Sequence, residues 1–264
     1  MQDSHPRKLV RTIAIAAAAL AGAAVVLLTM APAGLVALAV HRGSEGRIRL
    51  GDPAGTIWNG QADLILGGDD GATAGTRLPG RLAWRLAAGR LLLGTVDLTL
   101  SDAALLDTPL ALRIDRSGAT ADPDRARVPA AVLQGLGAPW NTIQPGGELQ
   151  LEWDTLHLRD GALRGALRAE WLGASSRLSP IVPFGHYRLL ADGIFAGAAL
   201  QLETVSGPME MTGNGTIAGA YRLRFHGTAR VQAGTDAATA TQLSGLISLL
   251  GRRDGDGAIL NFGS

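Results

Sequence analysis

The chain of 264 residues contains no cysteine, so no disulfide can staple its fold and no thiolate can serve as nucleophile or metal ligand. That absence is compatible with an oxidising compartment without requiring one. Lysine is nearly absent too: Lys8 is the single one, and every other basic residue is arginine. Because Lys8 precedes the first apolar run, no phosphate-binding Walker loop can be assembled downstream. Aromatic residues make up only 4% of the chain, so its core must rest on Leu, Ala and Val. A net charge of +1 disfavours nucleic acid or strongly acidic surfaces as partners.

Catalytic patterns are missing as well. The five histidines are His5, His41, His157, His186 and His226, and none has a second His, Cys or Glu at metal-ligand spacing. There is no G-x-S-x-G elbow to activate a serine. Gly213-Asn214-Gly215 with Gly219 has the wrong spacing for a nucleotide loop and reads as a turn. Asp254-Gly255-Asp256-Gly257 lacks the distal Glu of a calcium loop and reads as a hairpin turn. Asp69-Asp70 and Asp122 with Asp124 sit in Gly- or Pro-containing stretches, where solvated acids are expected. No catalytic, cofactor or metal residue is assigned, and no enzyme is expected.

What the chain does have is a long uncharged run and many glycines. Between Leu9 and Val40 the only charge is Arg11. The stretch Ile13–Met30 approaches the ~30 Å hydrocarbon core at ~1.5 Å per helical residue. Arg7, Lys8 and Arg11 lie before it, which puts the N-terminus in the cytoplasm. The expected organisation is a cytoplasmic end over 1–11, a transmembrane helix over 12–40 and a periplasmic domain over 41–264. Ala31-Pro32-Ala33 resembles a signal-peptide cleavage site, but cleavable apolar regions run ~7–15 residues, far shorter than this one. A buried soluble helix is disfavoured because the run has no polar face.

The chain holds 36 glycines, and beyond the anchor they punctuate short alternating segments, a β-class signature. RIRLGDPAGTIWNGQADLIL reads as a strand pair turning at Asp52-Pro53-Ala54-Gly55. LPGRLAWRL and LLLGTVDLTL form a second pair, joined around Gly89. PGGELQLEWDTLHL alternates most cleanly, with Leu149, Leu151 and Trp153 on one face and Glu148, Gln150, Glu152 on the other. GALRGALRAEW is its expected partner across Asp160-Gly161. The Pro-Gly starts of LPGRLAWRL and PGGELQLEW suggest two copies of one unit stacked in a continuous sheet. VPAAVLQGLG and ATATQLSGLISLL read as short helices, closed by Gly137 and Gly251. The expected fold is mainly β: a long, curved antiparallel sheet of repeated hairpins with a few short helices, preceded by one transmembrane helix. Trp58, Trp84, Trp140, Trp153 and Trp171 are assigned to core packing, although a Leu-rich sheet face could also hold an acyl chain.

Several segments together resemble one family. They are GTIWNGQA at 55–62, LPGRLAW at 78–84, VPAAVLQGLGAPWNTIQPGGELQLEWDTLHL at 128–158, LETVSGPMEMTGNGTI at 202–217 and SGLISLLGRRDGDGAILNFG at 244–263. In content and order they are similar to protein N of the bacterial type II, or general, secretion pathway. The resemblance implies one membrane helix, a β-rich periplasmic domain, and an accessory inner-membrane role beside other secretion components, with no catalytic residues to carry over. Its motif positions with expected structural roles are Gly55, Trp58, Gly60, Trp84, Trp153 and Gly251. The competing expectation is a membrane-anchored periplasmic module that binds lipid or acyl chains.

Overall fold

The computed structural model describes residues 29–67, 75–91, 93–136, 140–159, 162–193, 198–218 and 222–263. Helix α1 (Gly34–Gly43) leads into a chain of antiparallel strands. The first are β1 (Ile48–Gly55), β2 (Asn59–Leu66), β3 (Thr76–Arg77), β4 (Leu82–Leu86), β5 (Val96–Ser101), β6 (Leu110–Asp115), β7 (Gly118–Ala121) and β8 (Asp124–Pro129). A 3-10 helix (Ala130–Leu136) and a single turn (Trp140–Ile143) follow. Next come β9 (Pro145–Trp153), β10 (Leu156–Arg159), β11 (Ala162–Arg164), β12 (Leu167–Ser176), β13 (Gly185–Asp192), β14 (Ala198–Ser206), β15 (Met209–Ala218) and β16 (Arg222–Val231). Helix α2 (Ala237–Leu250) and the hairpin of β17 (Arg252–Asp254) and β18 (Gly257–Phe262) end the described chain.

The mainly β, antiparallel expectation holds. The strands divide into two sheets of nine, however, where a single sheet was expected. The first runs β1-β2-β4-β5-β6-β7-β10-β11 with β3 beside β2; the second runs β17-β18-β16-β15-β14-β13-β12-β9-β8. The reason lies in three chain segments that each pass from one sheet to the other. Leu156 pairs with Ala121 in the first sheet, and Trp153 pairs with Asp124 in the second at the same offset. The break between them falls at Asp122-Pro123 and Asp154-Thr155, and Pro123 has no N–H to give to a ladder. The third strand breaks at Gly165, whose N–H still reaches Gly193 O at 3.2 Å.

Local details depart from the sequence expectation in instructive ways. Asp52-Pro53 is not the first hairpin turn but a bulge inside β1, where the register slips between Gly51 and Ala54. The turn itself is Thr56–Trp58, entered through Gly55 at φ +93°. Gly213 and Gly215 lie within β15 and face Gly227 and Phe225, so they are strand residues and not a turn. Asp124 is buried, accepting from Thr108 Oγ1 at 3.0 Å and from Arg125 N at 2.7 Å, unlike the solvated acid expected there. The two similar Pro-Gly segments fall in different sheets and are not neighbours. Asp69-Asp70, Gly137 and the Asp160-Gly161 turn lie outside the described residues.

Two cores result. In the second sheet, α2 lays Leu243, Leu246, Ile247 and Leu250 on a face made by Trp171, Tyr187, Met209, Met211, Ala229 and Leu260. Helix α2 starts where Asp236 accepts from Ala238 N and Thr239 N at 3.1 and 3.0 Å, a side-chain N-cap. The first sheet has a smaller core of Ala33, Ala62 and Trp84, flanked by Val36, Leu50, Leu98 and Leu100. Residues 1–28, and with them most of the expected transmembrane span over 12–40, lie outside the described residues. Among the described residues no helix is long and apolar enough to cross a membrane. Helix α1 continues through the expected domain boundary at Val40 and His41.

Candidate functional site

The motif positions come together in part. Gly55, Trp58, Gly60 and Trp84 form one cluster at the β1–β2 turn. The Trp84 indole is buried, and its Nε1 donates to Ile57 O at 3.2 Å. Gly60 sits directly opposite Trp84 in the ladder, and a Cβ there would run into the indole ring. Trp58 is half-buried in the turn, and its carbonyl accepts from Leu86 N at 2.7 Å. Trp153 lies apart, at the break between the sheets, where its Nε1 donates to Asp122 O at 3.0 Å. Gly251 lies apart as well, between α2 and β17; its φ of −173° suits any residue, but a side chain would meet the Ile259 carbonyl. These positions are structural joints and do not line one cleft.

Trp140 and Trp171 pack in the core of the second sheet as the sequence leads one to expect, but their partners Phe184 and Tyr187 are not among the expected core residues. Trp171 packs against Trp140, Phe184 and Tyr187 with ring centroids 6.2, 5.7 and 5.8 Å away. The polar ends are satisfied: Trp171 Nε1 donates to Gly146 O and Tyr187 OH to Met209 O, both at 2.8 Å. Burial pushes the Tyr187 phenol far above its ordinary range, so it stays neutral. The signal was present in Trp171 and Tyr187 as apolar members of alternating strands.

The opposite face of this sheet carries a ladder of paired charges. Arg125, Glu152 and Arg168 are directly paired across β8, β9 and β12, and Gln150, Glu170, Arg188 and Glu203 across β9, β12, β13 and β14. Arg188 Nε donates to Glu170 Oε1 at 2.8 Å and its Nη1 to Glu203 Oε1 at 3.0 Å. Arg125 donates to Glu152 Oε1 through Nε and Nη2 at 3.1 and 2.8 Å. Arg230 grips both oxygens of Glu210 at 3.0 Å. His186 Nε2 lies 3.4 Å from Glu170 Oε2.

The Arg188 hydrogen bond holds the Glu170 carboxyl below the usual range, and that from Arg230 does the same for Glu210. A cleft of about 170 Å³ opens in the ladder, lined by Asp107, Arg125, Arg127, Glu152, Arg168 and Glu170. Its acids and arginines neutralise one another, which suits polar, geometrically matched contact with a protein better than capture of a single ion. Among the described residues no three His, Asp or Glu side chains converge as a metal-holding group.

Fold and surface thus define a class: an all-antiparallel β scaffold, sealed by one amphipathic helix and displaying paired charges across its strands. The chain belongs to the type II secretion system protein N family, whose model matches residues 46–260. Membership makes it an accessory component of type II secretion and implies contact with other components of that machinery. No curated protein and no solved structure matches the chain.

Proposed function

We propose that this chain is a non-enzymic, single-pass inner-membrane component that supports export of folded proteins by making protein contacts in the periplasm. The apolar run within residues 12–40 anchors it, with the N-terminus cytoplasmic and the β domain outside. The observation that carries the reading is the family match over 46–260. The paired ladder centred on Arg188 supplies a surface suited to partner recognition, because opposed charges fix register and discriminate against wrong partners. The outer edge of β17, which pairs with β18 alone among the described residues, offers backbone groups for strand addition. Deleting the gene and measuring secreted folded exoproteins, together with the levels of other secretion components, tests the role. Unchanged secretion and unchanged levels would overturn it.

A second reading is a lipid- or acyl-chain-binding module, with no cofactor required. It is favoured by the first sheet's apolar face, where Leu98 and Leu100 are half-buried and Ile114 is exposed. Lipid extraction and mass spectrometry of the purified full-length protein test it, and a preparation free of bound lipid would reject it.

A further inference from the structure

We propose that helix α1 lies in the headgroup layer of the membrane and holds the first sheet against the lipid surface. This rests on the reading of the N-terminal apolar run as an anchor, confines the span to the part of 12–40 that precedes Ala31, and adds that the domain is not free to swing from it.

The chain that leaves the apolar run is fastened at once to the domain. Ala33 N donates to Gly55 O at 3.0 Å, Ile57 N donates to Ala31 O at 2.9 Å, and Pro32 bridges Thr56. Ala33 is 1% exposed and packs with Ala62 and Trp84, with Val36 against the same cluster. One side of α1 is therefore committed to the core of the first sheet. The other side is apolar and uncovered. Leu35 is 52% exposed and Leu38 44%, and Met30 just before the helix is 72% exposed. Ala39 and Arg42 are exposed too, so Leu35, Leu38, Ala39 and Arg42 recur at the spacing of one helical stripe. The stripe is apolar along its length and basic at its far end.

Position selects lipid as the occupant. The apolar run reaches Leu28 just before the described chain begins at Thr29, and Leu28 to Pro32 can span at most ~14 Å of extended chain. Helix α1, ten residues and ~15 Å long, is thus tied by its first turn to the point where the run leaves the bilayer. A helix so placed buries its Leu stripe by lying in the interface, with Arg42 reaching for phosphates at the far end.

The natural absence of cysteine allows a direct test. Single variants Leu35→Cys, Leu38→Cys, Val25→Cys and Gln201→Cys of the full-length protein carry a nitroxide and are reconstituted in phosphatidylethanolamine–phosphatidylglycerol vesicles. Collisions with oxygen and with a water-soluble nickel chelate are compared by electron paramagnetic resonance. Labels at 35, 38 and 25 are expected to favour oxygen severalfold over the label at 201, which is exposed on β14. If 25 favours oxygen but 35 and 38 match 201, the anchor stands and the interfacial helix is overturned. If 25 also matches 201, the anchor reading fails and this inference fails with it.

Discussion

A methyl group at Gly60 has nowhere to go, because the Trp84 ring already occupies the space above it. Gly60→Ala is expected to cost about 1–3 kcal/mol as an overpacking substitution, read from urea unfolding of the full-length protein. In a Trp84→Leu background the same change should cost less, since the obstructing ring is gone; equal costs in both backgrounds would refute the contact. At Trp171 the cost runs the other way. Trp171→Ala removes the hub of the aromatic cluster and should lose about 3–5 kcal/mol. These residues act on stability, so secretion should fail only as far as the domain unfolds.

At the scale of elements, α2 closes the second sheet and the charge ladder decorates its reverse. Leu246 is 2% exposed, and Leu246→Ala should destabilise by about 2–5 kcal/mol. The ladder gives a pH dependence. Glu170 is held below its ordinary value by the Arg188 hydrogen bond, so its contribution is fully present above the ordinary Glu range of about 4.3 and is lost as pH falls through the lower folded value. Arg188→Met should therefore lower the urea midpoint more at pH 7 than at pH 3. An equal loss at both values would show that Arg188 acts by packing alone.

At the scale of the whole molecule, three bent strands carry the pairing from one sheet into the other. The Leu156–Ala121 and Trp153–Asp124 pairs share an offset across the break, so neither sheet can slip without its neighbour. The described domain is expected to melt in one transition, with calorimetric and van't Hoff enthalpies equal. Two transitions would mean that the shared strands do not couple the sheets. Such coupling would hold the ladder and the sheet edges in one fixed arrangement, as the proposed contacts with other secretion components require.

The strand class was legible because side-chain period and turn chemistry are local. Leu149, Leu151 and Trp153 alternate with acids and amides, and Gly251 marks the end of an apolar helical run. Val128-Pro129, read as a helix start, closes β8 instead. The strands Leu110–Asp115 and Gly118–Ala121 are not expected from the sequence, although Leu110, Leu112 and Ile114 alternate in the first, because both are short and the second, Gly-Ala-Thr-Ala, has no large apolar side chain to mark a face. Gly213 and Gly215 were misread as turn residues for a related reason: only the approach of Phe225 from β16 shows why glycine is needed inside a strand.

The sequence by itself determined the alternation, the end of α2 before Gly251, the apolar run before Met30 and the family, since each depends on residues close together or on their order. Tertiary structure alone decided that there are two sheets, that Gly60 faces Trp84, that Arg188 stands between two glutamates and that α1 keeps Leu35 and Leu38 uncovered. Those facts depend on strand register and on which faces find partners, and no local pattern encodes either.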